Sequence, residues 1–277
     1  MDIYNSRRLS ETTTQIMDCT GVYAFLVEGE EKAALIDTCT GVGNLKEYVE
    51  RLTDKPLSVI LTHGHCDHAG GAAPFETVYL NDADLKLVQY HAGMEMKMDY
   101  AQFCSPEVCG AMSEEDFCPV RTGGYSSLRD GQRFDLGGVT LEAIQVPGHT
   151  KGMTCILNIE ERTILFGDAC NNGLFIWAEE ATSIEEYLES LIRLKKHETR
   201  YDTVYMSYGE VTVDKRVLDG SIEVCREVMD GKADGQLFDF MEHHLLMAKK
   251  TNEKGERADG GIGNLVYDPK KVFRERA

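Results

Sequence analysis

The stretch Thr62-His63-Gly64-His65-Cys66-Asp67-His68-Ala69-Gly70-Gly71 packs three imidazoles and one carboxylate into six residues, directly after the apolar run Leu57-Ser58-Val59-Ile60-Leu61. The run follows Pro56 and predicts a short buried strand. The histidines therefore stand where a strand ends and the chain turns, so their side chains can converge on one point. Neutral imidazole and carboxylate are ligands of zinc and similar divalent metals. Unrelated polar residues in a surface loop are the plain alternative, and crowding this dense favours the metal site.

One cluster does not close a coordination sphere. His149 lies in Val146-Pro147-Gly148-His149-Thr150, after the strand-like run Val139 to Val146. Asp168 lies in Leu165-Phe166-Gly167-Asp168-Ala169, after the run Thr163 to Phe166. Each stands at a strand end beside a glycine, where the backbone can turn tightly. Taken singly, each reads as an ordinary turn residue. Together with the first cluster, in this order, they read as further ligands.

At this point the chain resembles the metallo-β-lactamase superfamily, with motifs like those of glyoxalase II. The resemblance rests on His63, His65, Asp67 and His68 as a His-x-His-x-Asp-His motif, on His149 in Pro-Gly-His-Thr, and on Asp168 in Gly-Asp. It extends upstream to Ala33-Ala34-Leu35-Ile36-Asp37-Thr38, similar to the family's early strand ending in an Asp that supports the metal loops. It covers roughly residues 20 to 215 and does not single out one activity. It implies that His63, His65 and His149 hold one metal, that Asp67 and His68 with a last His hold another, and that Asp168 bridges the two. The position of that last His is taken by Tyr208, in Met206-Ser207-Tyr208-Gly209. A phenol has a reference pKa of about 10 and ligates well only as phenolate. Three roles for Tyr208 stay open: a ligand, a group facing substrate, or a replacement that weakens the second site.

The 277 residues accommodate one large domain or two small ones, and the spread of the motifs from 63 to 208 favours a single one over residues 1–277. A net charge of −18 argues against nucleic-acid binding, which relies on Lys and Arg pairing with phosphates. The nine cysteines and the polar start Met1-Asp2-Ile3-Tyr4-Asn5-Ser6-Arg7-Arg8 imply reduced thiols in a cytoplasm. No apolar run approaches the ~18 residues a membrane span needs. Cys104, Cys109 and Cys118 lack the Cys-x-x-Cys spacing and read as ordinary thiols, and Cys66 as lining the metal motif.

Along the chain, Val22 to Glu28 and Lys32 to Asp37 predict a hairpin, and Gly41 to Leu52 a helix with Leu45, Val49 and Leu52 on one face. Ala72 to Phe75 reads as a short helix, Val78 to Leu80 as a strand, and Asn81 caps a helix to about His91. Residues 92–130 read as the least regular part, a variable insertion serving as lid or wall over the metals. Gln132 to Val146, Met153 to Ile159 and Arg162 to Phe166 predict successive strands, and Asn171 to Ala178 a loop carrying Phe175 and Trp177 near the site. Ser183-Ile184-Glu185-Glu186 is a capping box opening a helix, and Thr203 to Met206 a strand. Residues 211–277 read as a C-terminal helical extension, with helix through Val228 and again from about Gln236 to Lys250, closed by a strand at Leu265-Val266-Tyr267. His243 and His244 fall on that second helix, where one of them could reach the site and replace the missing imidazole.

The expected fold is α/β, a four-layer αββα sandwich of two mixed β-sheets flanked by helices. The expected chemistry is hydrolysis of an ester, thioester or lactone-type small molecule by a metal-bound hydroxide. The metal lowers the pKa of its bound water towards about 7, and Asp67 orients it and shuttles a proton. Tyr208 donates to the oxyanion if it does not ligate. The metal is zinc, one or two ions per chain, with iron or manganese as alternatives. Two other readings stand beside it: a mononuclear non-haem iron oxidoreductase resembling the family's sulfur dioxygenases, and a non-catalytic relative that keeps metal for structure. The expected partners are a small-molecule substrate and at most a second copy of this chain, with no nucleic acid and no membrane.

Overall fold

In a computed structural model, which describes residues 3–240 and 242–275, two mixed sheets lie face to face between helices. The first sheet runs in chain order through β1 (Tyr4–Arg8), β2 (Thr13–Asp18), β3 (Tyr23–Glu28), β4 (Ala33–Ile36), β5 (Leu57–Ile60), β6 (Val78–Leu80) and β7 (Tyr125–Ser127). Its pairings are antiparallel up to β4 and parallel beyond. The second sheet holds β8 (Arg133–Asp135), β9 (Thr140–Gln145), β10 (Thr154–Asn158) and β11 (Thr163–Gly167). Past β12 (Leu174–Ile176), the chain returns to it with β13 (Thr203–Met206), parallel to β11, and β14 (Thr212–Val213).

Alternation along the strands builds the layers. Phe25 and Val27 of β3, Ile36 of β4 and Ile60 of β5 meet Leu141, Ala143, Ile156 and Leu165 between the sheets. Phe25 stacks on Tyr205 across the gap with ring centroids 5.9 Å apart, a contact that contributes about 1 kcal/mol beyond its area. The alternate residues Ala24, Leu26, Leu35 and Val59 turn outward onto α1 (Leu45–Glu50) and Val88 of the later helix described below. Strands covered on both faces are largely apolar, which is why β3 and β4 read as near-continuous apolar runs rather than alternating ones.

Within the first sheet's stretch of chain, α2 (Cys66–Ala69) follows β5, and α3 (Leu85–His91), α4 (Met94–Cys104) and α5 (Pro106–Cys109) lie between β6 and β7. On the other side, Cys155, Leu157, Ile164 and Phe166 turn outward onto α6 (Ile184–Lys195) and α7 (Val217–Met229). The expected αββα sandwich is therefore present. The Ser183 capping box is formed in full, with Glu186 Oε2 accepting from the Ser183 amide.

Several expectations change. A third sheet runs β12-β17-β16-β15, with β15 (Gln236–Phe240), β16 (His243–Met247) and β17 (Leu265–Tyr267). The span expected to be helical from Gln236 to Lys250 is thus a β-hairpin. Its exposed Leu237 and Asp239 alternate with half-buried Phe238 and Phe240, a period of two, and β17 supplies the neighbouring strand that makes this pattern productive. The Asn171–Ala178 loop likewise contains a strand, β12.

Residues 94–109 are regular, as α4 and α5, whereas the rest of the 92–130 segment is loop with one 3₁₀ turn at Glu114–Asp116 before β7. Ala72 to Phe75 forms turns rather than a helix. The helix after Asn81 begins with a 3₁₀ turn at Asp82–Asp84 before α3. Helix α1 starts late, because Gly43 sits at φ 67°, outside helical space, and ends before Leu52, which is left 37% exposed. The stretch after Val211 opens with strand β14 before α7. Strands β1 and β2 were not anticipated, and β1 is an edge strand whose last four residues are exposed and polar. The Leu265–Tyr267 strand is where it was expected.

Candidate metal centre

All the motif residues gather at one end of the sandwich. Asp37 follows β4, His63 follows β5, His149 follows β9, Asp168 follows β11 and Tyr208 follows β13. Backbone hydrogen bonds clamp the two sheets there, from the Tyr23 amide to the Ser207 carbonyl and from the Thr154 amide to the Thr62 carbonyl, each 2.9 Å.

Three imidazole nitrogens converge. His63 Nε2 lies 3.1 Å from His65 Nδ1, and His149 Nε2 lies 2.9 Å from the same atom. The opposite nitrogen of each ring faces an oxygen: Thr62 Oγ1 at 3.1 Å for His63, Glu180 Oε1 at 3.2 Å for His65, and the Phe175 carbonyl at 2.7 Å for His149. Thr62 Oγ1 itself donates to Asp37 Oδ2, so its oxygen is left to accept from His63. Each ring thus keeps its N–H on the outside and its lone pair on the inside. Burial first, and then the neighbouring imidazoles, push His63 well below the usual histidine range, and His65 down to about 3. Imidazole lone pairs directed at one point repel one another unless a cation lies between them.

A second group comprises His63, His68 and Asp168. Asp168 stands between the groups, with Oδ2 3.5 Å from His149 Nε2 and 3.8 Å from His68 Nε2. Its Oδ1 is buried with no hydrogen-bond partner, and burial raises its pKa. An orphaned carboxylate oxygen beside inward-facing imidazoles is a donor set that a divalent cation fits.

Asp37 organises the framework beneath. It accepts from the Thr62 amide at 2.7 Å, from Thr62 Oγ1 at 2.8 Å and from His68 Nδ1 at 2.8 Å. Its backbone sits at φ 60°, a conformation costing about 1 kcal/mol or more that these three bonds hold in place. On the far side of His68, Nε2 lies 2.6 Å from Tyr208 Oη, whose hydroxyl donates to Asp67 Oδ2. Burial opposes charge on His68, but Asp67, Asp37 and Asp168 outweigh it and push the ring up to about 10. Burial alone would raise Asp67, yet His68 and His65 together with the Tyr208 hydroxyl hold it at about 2. Burial, then Asp168 and Asp67, keep the Tyr208 phenol far above its ordinary range.

His63, His65, Asp67, His68, His149, Asp168 and Tyr208 are all brought together. His243 and His244 are not: they lie on a strand, with His244 Nδ1 2.6 Å from Asp239 Oδ1 and His243 against Trp177 at 4.4 Å between rings. Cys66 turns its thiol towards the Met96 carbonyl, and it joins no metal-ligand group among the described residues. Among the described residues, Cys104, Cys109 and Cys118 join no metal-ligand group, and Cys109 Sγ lies 3.8 Å from Cys19 Sγ.

Three contributors escaped the sequence reading. Glu180 orients His65. Asp84 ties the two ligand loops together, accepting from the Gly64 amide at 3.0 Å, Thr150 Oγ1 at 2.7 Å and the Gly152 amide at 2.8 Å. The His91 ring lies 4.4 Å from that of His65, tilted by 43°, and its Nδ1 accepts from the Cys66 amide. None sits in a motif, and an unusual local spacing that might have betrayed them is absent.

Residues 17–201 match the family model of the metallo-beta-lactamase superfamily. The chain is 26% identical to the acyl-coenzyme A thioesterase MBLAC2 of Gallus gallus, over 61% of this chain and 65% of that protein. It is 25% identical to the "Probable polyketide biosynthesis zinc-dependent hydrolase BaeB" of Bacillus velezensis, over 68% of this chain and 74% of that one. The chain therefore spans just under two thirds of the thioesterase's length. In fold it is similar to a metallo-beta-lactamase from Pontibacter korlensis, with a TM-score of 0.57 at 17% identity over 79% of this chain and 97% of the other. The match over most of the chain makes this chain a member of the metallo-beta-lactamase superfamily.

Proposed function

We propose that this chain is a metal-dependent hydrolase of a small-molecule thioester or ester, with zinc held by His63, His65, His149 and Asp168. The observation that carries this reading is the inward convergence of three imidazole nitrogens beside the unpartnered oxygen of Asp168. The imidazole-rich set suits zinc. Two relatives, a thioesterase and a probable zinc-dependent hydrolase, support the same class. A divalent cation in this seat supplies a Lewis acid that polarises a carbonyl oxygen and acidifies water.

The chain's own residues supply the rest. Asp67 stays ionised, fixed by the Tyr208 hydroxyl, and takes a proton from the attacking water at Oδ1 or Oδ2. Asp84 and Asp37 hold the two ligand loops rigid, so that the donors need no reorganisation. Tyr100, half-buried on α4, is raised by burial and then by the Asp67 carboxylate, which supports reading the 92–130 segment as a wall over the site. A thiolate leaving group, with a pKa of about 8.5, departs without a general acid, which matches a site whose protonated groups are committed to carboxylates.

A second reading rests on the group His63, His68 and Asp168, two imidazoles and a carboxylate, the ligand type of non-haem iron oxygenases. Iron in the purified protein together with oxygen consumption would establish it. The nine unpaired cysteines fit a cytoplasmic setting, and among the described residues no helix is long and apolar enough to cross a membrane. The partner proposed is a small-molecule substrate, and the −18 charge disfavours nucleic acid.

The test is thiol release from a panel of acyl thioesters by zinc-loaded protein. Turnover that disappears with His65→Ala and with chelator is expected. A folded, zinc-loaded chain inert on every thioester and ester of the panel would overturn the reading.

A further inference from the structure

Asp67 Oδ2 and His68 Nε2 stand 3.5 Å apart, a separation suited to two ligands of one ion, each bonded at about 2.0–2.2 Å. The space between them is already bridged. Tyr208 Oη lies 2.6 Å from His68 Nε2 and donates to Asp67 Oδ2. An imidazole nitrogen has one bonding direction, in the plane of its ring, so a partner at hydrogen-bond distance along it excludes an ion. The first group differs in this respect: its nitrogens, 2.9 and 3.1 Å apart, have no hydroxyl between them.

The backbone on both sides of Tyr208 is anchored. The Ser207 carbonyl accepts from the Tyr23 amide at 2.9 Å, and the Gly209 carbonyl accepts from Tyr23 Oη at 2.5 Å. The side chain therefore enters the site from a fixed base, and Asp37 holds the far nitrogen of His68 at 2.8 Å. A continuous chain results, Asp37 to His68 to Tyr208 to Asp67, running through the place a second cation would need.

We propose that this chain carries a single metal ion, in the seat formed by His63, His65, His149 and Asp168, and that the Tyr208 hydroxyl occupies the place of a second ion and positions Asp67. The inference rests on the hydrolase reading only for the presence of the first ion. Tyr208 acts as a positioning residue for Asp67, and the iron reading on His63, His68 and Asp168 requires Tyr208 to release His68 Nε2.

The test counts ions rather than turnover. Wild-type protein, Tyr208→His and Tyr208→Ser are saturated with zinc, freed of loose ion by gel filtration and analysed for zinc per chain. Cobalt titration calorimetry gives an independent stoichiometry, and circular dichroism checks each fold. One ion in the wild type and two in a folded variant are expected. Two ions in the wild type would overturn the inference and leave the hydrolase reading standing. One ion in both folded variants would also overturn it, because the hydroxyl would not be what excludes the second. No ion in the wild type would overturn the reading beneath it.

Discussion

His65 Nε2 lies 3.2 Å from Glu180 Oε1, a partner 115 residues further along the chain, and this pair decides which nitrogen of His65 faces the centre. With its N–H directed at Glu180, the ring keeps the Nδ1 lone pair for His63 and His149's side of the site. Glu180→Ala should weaken zinc binding by about 10–100-fold, the usual effect of removing such a partner. Glu180→Gln keeps an acceptor and should recover part of the loss. Competition against a chromophoric chelator measures both, and an unchanged affinity in Glu180→Ala would show the pair to be idle.

Asp67 is the proton acceptor of the proposed reaction, so Asp67→Ala should lower kcat on a thioester by about 10²–10⁴-fold while the circular dichroism spectrum stays unchanged. Retained turnover in a folded variant would sink this mechanism.

Removing the metal should destabilise the fold, because the three inward lone pairs then face one another with no cation between them. Ligand linkage predicts a stabilisation of about 2.7 kcal/mol at a free zinc concentration one hundred times Kd. Thermal melts with and without chelator would detect it. Coincident melts would mean that the site binds no ion or that the unfolded chain binds it equally well.

Gly148 lies where the turn carrying His149 passes Tyr187. A methyl group there would stand 2.9 Å from Tyr187 Cε2 and closer still to Cδ2. Tyr187 is fully buried, with its hydroxyl donating to the Ala169 carbonyl at 2.7 Å, so it has little room to yield. Gly148→Ala should therefore cost about 1–3 kcal/mol and weaken zinc binding as His149 is displaced. A variant with wild-type melting and wild-type affinity would contradict this.

Glu142 on β9 is buried between two arginines, with Arg200 Nη1 at 2.6 Å and Arg133 Nε at 2.8 Å. The Arg200 bond, against the opposing effect of burial and with Arg133 adding to it, lowers its pKa. A depressed carboxylate stabilises the fold above its unfolded pKa of about 4.3, and that contribution fades as pH falls through the folded value. Glu142→Gln should thus cost about 1–2 kcal/mol at neutral pH, with the difference narrowing below about pH 4. Urea melts at pH 7 and pH 3 would show it, and an equal difference at both values would rule the linkage out.

What was legible in the sequence was whatever is encoded locally. Ligand chemistry restricts residue type so tightly that His63, His65, Asp67, His68, His149 and Asp168 could be named from spacing and family resemblance, and the structure gathers all of them. Double burial favours near-continuous apolar runs, so the central strands and the sandwich were readable too. The capping box at Ser183 needs only two side chains three residues apart.

The tertiary structure decided the rest, because the deciding partner lies far along the chain. Glu180 and Asp84 are ordinary acidic residues until the fold sets them beside residues 115 and 66 positions away. The alternation in Gln236–Met247 is too short to separate strand from helix, and β17 settles it by offering a pairing edge. That Tyr208 stands where an imidazole was expected could be read from the letters. That its hydroxyl bridges His68 and Asp67 depends on two sheet ends meeting across 140 residues, a distance no local pattern spans.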